Sequence, residues 1–273
     1  MRESKRLDQA RRGRVNALRD HAQQRRVRDN LERRLAKNLK TLFRKFMNTE
    51  LYLFREYGVW DPNVAREHLE EDFIPVLTVH LRKLFQMVWT NEEAKVTQGK
   101  QMSVDVRVFR QQRDIVELVD RYFNGRALIL ANVTARMAQA IDDLIREGKE
   151  EGISNYQIAR NIQNTFPSII SARANLIART ETHNAAGYAA DVYYDALRNV
   201  TGQNMMKKWV STADERTREA HREAGAGKPI PMDEDFIVGG APMKYAGDPK
   251  GGLKNTINCR CTVVYVDQRD VVE

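Results

Sequence analysis

The sequence predicts a mainly α-helical protein with a small C-terminal α+β domain, in which long helices are followed by a short antiparallel sheet. Apolar residues recur at spacings of three and four from residue 31 to about residue 150, a period typical of amphipathic helices. After Gly202, β-branched and aromatic runs alternate with glycine and proline, which favours short strands joined by turns. The boundary between the two parts is predicted near residue 150.

The first predicted element is a basic arm, residues 1–45, which carries 16 lysines and arginines against 5 acidic residues. Its net charge is +11, so the rest of the chain has a net charge of −3. The arm has no proline and only Gly13 as glycine, which permits a long helix. Such a segment either binds phosphates or an acidic protein surface, or is a solvated lead-in to a helical bundle.

A binding role is favoured over a solvated lead-in, because eleven uncompensated charges repel one another unless a partner neutralises them. Double-stranded DNA is the predicted nucleic-acid partner of the arm. No aromatic residue precedes Phe43, so base stacking is not expected and contact is limited to the DNA backbone. The predicted DNA-binding residues are Arg11, Arg12, Arg14, Arg25, Arg26, Arg28, Arg33 and Arg34.

The second predicted segment is a helical docking region over residues 46–150, with no catalytic role. A helix begins at Asp61-Pro62, where Asp is the N-cap and Pro the first helical residue. Pro75 predicts a kink or break in this helix. A polar loop is expected over 91–101, and an interruption near Asn124-Gly125.

The third segment, residues 151–273, begins with helices. Ser154 predicts the start of a helix over 155–164 that Phe166-Pro167 ends. A second helix is predicted over 168–199.

The sheet elements follow. Strands are predicted over 207–211, 236–238 and 261–266 from their β-branched and aromatic content. Between the first two, Thr212 and Glu215 fit a capping box that opens a helix ending at Gly225.

Composition indicates the compartment in which the protein is found. The chain has 273 residues with a net charge of +8 and contains no run of eighteen apolar residues, so no membrane span is expected. No apolar segment follows the basic N-terminal residues, and a secretory signal is therefore not expected. Cys259 and Cys261 are one residue apart, so a disulfide between them would close a strained ring. A reducing compartment is predicted.

The two cysteines and one histidine suggest a metal site. His221, Cys259 and Cys261 are residue types that zinc accepts, and Asp214 or His183 could complete a tetrahedron. In the alternative, the two thiols alternate across a strand, one in the core and one outward. Asp214, Arg218 and His221 are spaced by four and three residues, which predicts that they share a helix face. A Cys–His nucleophile pair, or a His/Asp/Arg trio that hydrolyses phosphoesters, stays open as a catalytic alternative.

Four motifs occur in order in the C-terminal part. They read A-R-T-E-T-H-N-A from residue 178, W-V-S-T-A-D-E-R-T-R-E-A-H from residue 209, M-x-Y-x-G-D-P from residue 243 and I-N-C-R-C from residue 257. This series resembles the minor head protein family of tailed bacteriophages, typified by the F protein of phage Mu and described as a head-morphogenesis domain.

The resemblance implies a virion component inside the capsid near the portal vertex, made in the host cytoplasm and acting in head assembly, DNA packaging or ejection. It implies portal and capsid proteins as partners, and no enzymatic activity, although the domain also occurs fused to toxin domains. The residues it carries over form a structural polar knot of Arg179, Glu181, Asn184, Trp209, Asp214 and Arg216, with His221, Cys259 and Cys261 as its metal ligands.

Two other functions stay open. One is a metal-dependent hydrolase acting on nucleic acid, with His221 and Asp214 at its centre. The other is a generic basic nucleic-acid-binding protein, which the arm alone would support but which leaves the C-terminal motifs unexplained.

Overall fold

In the part of the chain that the structure describes, four long helices are followed by a small set of strands, and this confirms the predicted fold class. The computed structural model describes residues 2–98, 114–212 and 214–271, with side chains from residue 25 onward except at 27, 128 and 270. The long helices are α1 (Arg2–Tyr57), α2 (Pro62–Gln98), α3 (Ile115–Glu150) and α4 (Asn155–Thr201).

Shorter elements follow the long helices. They are β1 (Met205–Val210), α5 (Glu219–Ala226), β2 (Ile230–Pro231), β3 (Phe236–Val238), β4 (Ala241–Met243), a 3₁₀ turn (Pro249–Gly251), α6 (Gly252–Thr256), β5 (Thr262–Asp267) and a second 3₁₀ turn (Gln268–Asp270). The three strands predicted from composition are therefore confirmed as β1, β3 and β5.

The chain divides into two compact units. The mixed unit lies within residues 1–31, 81–122 and 180–273 and contains the five described strands. The helical unit comprises Glu32–His80 and Phe123–Arg179. The predicted division of the sequence at residues 45 and 150 stays a prediction.

The predicted helix starts are confirmed. The Asp61 carboxylate accepts the backbone N–H of Asn63 at 2.8 Å, which caps α2. The Ser154 hydroxyl accepts the N–H of Gln157 at 3.3 Å, which caps α4. Both side chains satisfy amide groups that have no partner within the helix itself.

The predicted helix breaks are wrong. Pro75 lies inside the continuous α2 and Pro167 inside the continuous α4. Both prolines are exposed, as are the residues four positions earlier. The carbonyl groups that lose their helical partner therefore belong to solvent-facing residues, where water can bond them.

Two further predicted interruptions are also absent from the described residues. Asn124 and Gly125 are exposed residues within α3, and one glycine costs a helix only about 1 kcal/mol. The predicted loop at 91–101 is helical up to Gln98, and residues 99–101 lie outside the described part. In the helical residues of this predicted loop, the Glu92 carboxylate pairs with the Lys95 ammonium one turn later at 2.9 Å.

The capping box predicted at Thr212 and Glu215 is wrong. Helix α5 begins only at Glu219, after Arg218. The Thr212 hydroxyl instead donates to the carbonyl oxygen of Arg260 at 2.9 Å. A tertiary hydrogen bond therefore replaces the local one that the motif suggested.

The mixed unit contains an antiparallel sheet in the order β2-β1-β5 and a separate β3-β4 hairpin. Strand β1 alternates, so that Met205, Lys207 and Trp209 are buried on one face. In the register with β5, Trp209 stands opposite Val263. A core forms around the fully buried Trp209 and includes Cys259 and Cys261.

The helical unit is held mainly by apolar residues. Phe43 and Phe73, both fully buried, stack with ring centroids 6.4 Å apart. Among the described residues, no helix combines the length and the apolar character needed to cross a bilayer.

Candidate metal centre

His221, Cys259 and Cys261 come together in the core of the mixed unit. Their ligand atoms all lie within 4.8 Å of one another, and all three residues are buried. The Nδ1 atom of His221 is 3.4 Å from the sulfur of Cys261 and 3.6 Å from that of Cys259. The sequence prediction that these three residues share a site therefore agrees with their placement.

Both sulfurs face the core because of the local backbone. Asn258 has a left-handed conformation, with φ 58°, and three residues without regular structure lead from it to β5. In these three residues Cys259 and Cys261 are both buried, while Arg260 between them is partly exposed. The alternative in which one thiol faces outward is wrong.

The residues Ile257–Cys261, here called the cysteine segment, are held by side chains. Arg218 donates to the carbonyl oxygen of Ile257 at 2.7 Å, and Thr212 donates to that of Arg260. From α4, the hydroxyl of Thr180 accepts the N–H of Asn258 at 3.1 Å. An irregular segment this deep in a core needs such partners, because unpaired buried backbone groups are costly.

His183 also binds the cysteine segment. Its Nδ1 is 3.1 Å from the guanidinium of Arg28, and a guanidinium can only donate. The ring proton therefore lies on Nε2, which donates to the carbonyl oxygen of Cys261. Since both ring nitrogens are engaged, His183 is not the fourth metal ligand that the sequence suggested.

The placement of Arg28 corrects a second prediction. Arg28 was expected to contact DNA, but it is buried beside His183, and burial lowers the pKa of its guanidinium to about 10. Arg25, Arg26, Arg33 and Arg34 are exposed. The side chains of Arg11, Arg12 and Arg14 lie outside the described part.

Trp209 determines the position of the His221 ring. The indole packs edge-on against the imidazole with centroids 5.6 Å apart and planes at 81°. Phe236 packs against the same indole at 5.4 Å. Trp209, predicted as a member of the polar knot, is therefore the apolar wall of the site.

The two thiols shift each other's pKa in opposite directions. A hydrogen bond from Cys259 lowers the pKa of Cys261, helped by His221, although burial opposes this shift. The same contact, together with burial, raises the pKa of Cys259.

Asp214 does not join the thiols. Because Asp214 and Arg218 precede α5, they do not share a helix face with His221, and that prediction is wrong. Asp214 instead accepts the N–H of Arg216 at 3.1 Å and pairs with Arg260 at 2.6 Å. The Arg216 guanidinium is 3.7 Å from the same carboxylate and mostly exposed.

The predicted polar residues of α4 contact separate partners. Arg179 pairs with Glu32 at 3.0 Å within the helical unit. The Glu181 carboxylate accepts the hydroxyl of Tyr122 at 2.9 Å.

Asn184 is fully buried and packs against Gly247, which has φ 98°. A Cβ atom at Gly247 would lie 2.2 Å from the Asn184 oxygen, so only glycine allows this approach. This close approach explains the glycine of the G-D-P motif and the burial of Asn184.

The sequence alone does not identify the residues that hold the cysteine segment. They are Thr180, His183 in this role, Thr212 and Arg218. For Thr180 and His183, the available signal was the polar run in the middle of an apolar helix. It indicated buried polar contacts but not their backbone targets.

The comparisons with known proteins agree with the motif series. Residues 139–264 match the family model described as Phage Mu protein F like protein. NAD(+)--arginine ADP-ribosyltransferase EFV of Enterococcus faecalis is 33% identical over 156 residues, which are 56% of this chain and 31% of that protein. Minor head protein GP7 of Bacillus phage SPP1 is 36% identical over 129 residues, which are 45% of this chain and 38% of that protein.

The chain thus spans about a third of the length of these curated relatives. No solved structure matches it. The match of residues 139–264 to the Phage Mu protein F like family confirms the resemblance of this part of the chain to the head-morphogenesis proteins of tailed bacteriophages.

Proposed function

We propose that this chain is a structural minor head protein of a tailed bacteriophage and a component of the virion. The family domain and the relative named minor head protein GP7 support this role. The observation that carries it is the burial of the motif residues in structural contacts, with Glu181 on Tyr122 and Thr180 on the cysteine segment. Groups engaged in this way bind the fold together.

The region predicted to dock, residues 46–150, contacts the portal or capsid proteins inside the head. Six large apolar side chains on residues 52–79 are exposed, and Tyr57, Val59 and Val79 are each more than 60% exposed. Tyr52 and Tyr57 lie together, with ring centroids 6.3 Å apart, and exposed apolar side chains that form a contiguous patch mark a protein interface. This distribution supports docking through the helical unit.

The basic arm binds the DNA backbone in assembly, packaging or ejection. Arg25, Arg26, Arg33 and Arg34 are exposed on α1. Contacts of this kind are independent of sequence and weaken as salt displaces them.

The hydrolase alternative has less support. Asp214, its proposed partner for His221, is bound to Arg260 and Thr217. The transferase named for the enterococcal relative is not carried over, because the chain covers 31% of that protein.

The test compares two variants of equal charge change during head assembly with the cognate portal and capsid proteins. In the arm variant, Arg25, Arg26, Arg33 and Arg34 become Gln; in the control, the exposed residues Arg82, Lys83, Lys228 and Lys254 become Gln. The unaltered chain and both variants should sediment with heads.

The affinity of the same three proteins for DNA is then measured over a series of salt concentrations. The slope of log affinity against log salt should become smaller in magnitude by about 3 to 4 in the arm variant alone, because each lost phosphate contact contributes about 0.9.

Two outcomes would contradict the proposal. Absence of the unaltered chain from heads would refute the structural role. Equal salt slopes in the arm variant and the unaltered chain would refute DNA binding by the arm. If the arm variant also failed to enter heads, the arm would instead dock on an acidic protein surface.

A further inference from the structure

We propose that His221, Cys259 and Cys261 bind one zinc ion that links the cysteine segment to α5. The inference rests on the geometry of these side chains and is independent of the head role. A protein without zinc could still be a minor head protein.

The first support is the spacing of the ligand atoms. In a tetrahedral site with Zn–S near 2.3 Å and Zn–N near 2.0–2.1 Å, the nitrogen lies about 3.6 Å from each sulfur. The Nδ1 atom of His221 is 3.4 Å and 3.6 Å from the two sulfurs. A zinc ion therefore fits between the three atoms with little movement of the side chains.

The second support is that one nitrogen faces two sulfurs. A neutral imidazole nitrogen either donates one proton or accepts one, so it can form a good hydrogen bond with one thiol at a time. Both sulfurs nevertheless approach the same Nδ1. A metal ion placed between them satisfies all three atoms together.

The third support is the way the cysteine segment is held. Thr180, Thr212 and Arg218 bind backbone groups of the segment, so the positions of the two cysteines are set before the metal arrives.

The ligand types select zinc. Two thiolates and one imidazole disfavour magnesium and calcium, which take oxygen ligands. Among the described histidine, cysteine and acidic residues, the group has three members, so we assign the fourth position to a water molecule. All three protein ligands are buried, so the ion would lie inside the core of the mixed unit.

The first measurement is the metal content of the reduced full-length chain, purified without chelators. We expect about one zinc per chain. Cys259→Ser, Cys261→Ser and His221→Gln should each lower this value at least five-fold. The matched control is His68→Asn, an exposed histidine of the helical unit, which should keep the zinc.

A second measurement avoids variants that do not fold. The unaltered chain is stripped of metal under reducing conditions and titrated with cobalt(II). Cobalt held by two thiolates gives strong sulfur-to-metal charge-transfer absorption, which should saturate at one equivalent and disappear when zinc is added. Zinc, but not magnesium, should raise the melting temperature of the stripped chain as its concentration increases.

Three results would overturn the proposal. The first is metal-free protein that shows no cobalt absorption. The second is a melting temperature that zinc does not change. The third is a folded Cys259→Ser/Cys261→Ser double variant that retains one zinc, which would place the ion elsewhere.

Discussion

The helical unit and the cysteine segment are stabilised by different interactions. In the helical unit, buried aromatic and aliphatic residues pack along helices, and charged pairs such as Lys45 with Asp72 lie at the surface. In the cysteine segment, side chains from other elements bind backbone groups that no regular ladder satisfies, as Thr180 and Thr212 do.

This difference predicts how each region responds to substitution. In the helical unit, the cost should follow the apolar volume removed, and single polar contacts at the surface should contribute little. In the cysteine segment, loss of one hydroxyl leaves a buried backbone group without a partner, so a volume-conserving change should already be harmful.

The largest expected effect comes from a cavity in the helical unit. Phe73 is fully buried and stacks on Phe43, so Phe73→Ala should destabilise the protein by about 3–5 kcal/mol. Urea unfolding gives the free energy, and hydrogen exchange should show the greatest loss of protection in residues 32–80 and 123–179.

The control for Phe73→Ala is Val79→Ala in the same helix. Val79 is 69% exposed, so its truncation should change stability by no more than about 0.5 kcal/mol. Similar costs for the two variants would mean that apolar burial does not dominate in this unit.

The contrast between local packing along helices and contacts from distant elements also explains which features the sequence predicts correctly. The helices are apparent from their apolar period, and the starts of α2 and α4 from Asp61 and Ser154, because these signals are local. The breaks expected at Pro75 and Pro167 do not occur, because both prolines lie on exposed faces where the lost hydrogen bond is inexpensive. Whether a proline faces solvent depends on tertiary packing, which the local pattern does not contain.

The sequence predicts which residues form the candidate site, but it does not predict the partners that they contact. His221, Cys259 and Cys261 are conspicuous because the only two cysteines are one residue apart. That Asp214 pairs with Arg260, and that His183 binds a carbonyl group, depends on approaches between residues that are 46 and 78 positions apart. No periodicity in the sequence encodes such contacts.

The second prediction tests the support of the cysteine segment. Thr180→Val keeps the volume but removes the acceptor for the N–H of Asn258, so we expect a loss of about 1–3 kcal/mol. Thr165→Val is the matched control, because the Thr165 hydroxyl is exposed and bonds only within its own helix. Thermal and urea unfolding of both variants measure the difference. A Thr180→Val protein as stable as the control would remove the distinction between the two regions.

The smallest expected effect concerns a partly buried charge in the mixed unit. Asp191 on α4 accepts the hydroxyl of Tyr265 at 3.2 Å, and burial raises the pKa of Asp191 to about 6 although Lys207 opposes the shift. In the unfolded chain this pKa is about 4. The folded protein therefore holds the proton more tightly, and the stability that protonation supplies is present below about pH 4 and lost as the pH rises through about 6.

Asp191→Asn should remove this pH dependence. Because Asp191 is partly exposed, solvent screening limits the expected change to about 1 kcal/mol across this range. Free energies of unfolding measured from pH 4 to pH 7 should thus fall more steeply for the unaltered chain than for Asp191→Asn. The control is Asp195→Asn, one turn further along α4 and exposed, which should keep the profile of the unaltered chain. Parallel profiles for Asp191→Asn and the unaltered chain would show that the charge of Asp191 is as well solvated as those on the surface of the helical unit.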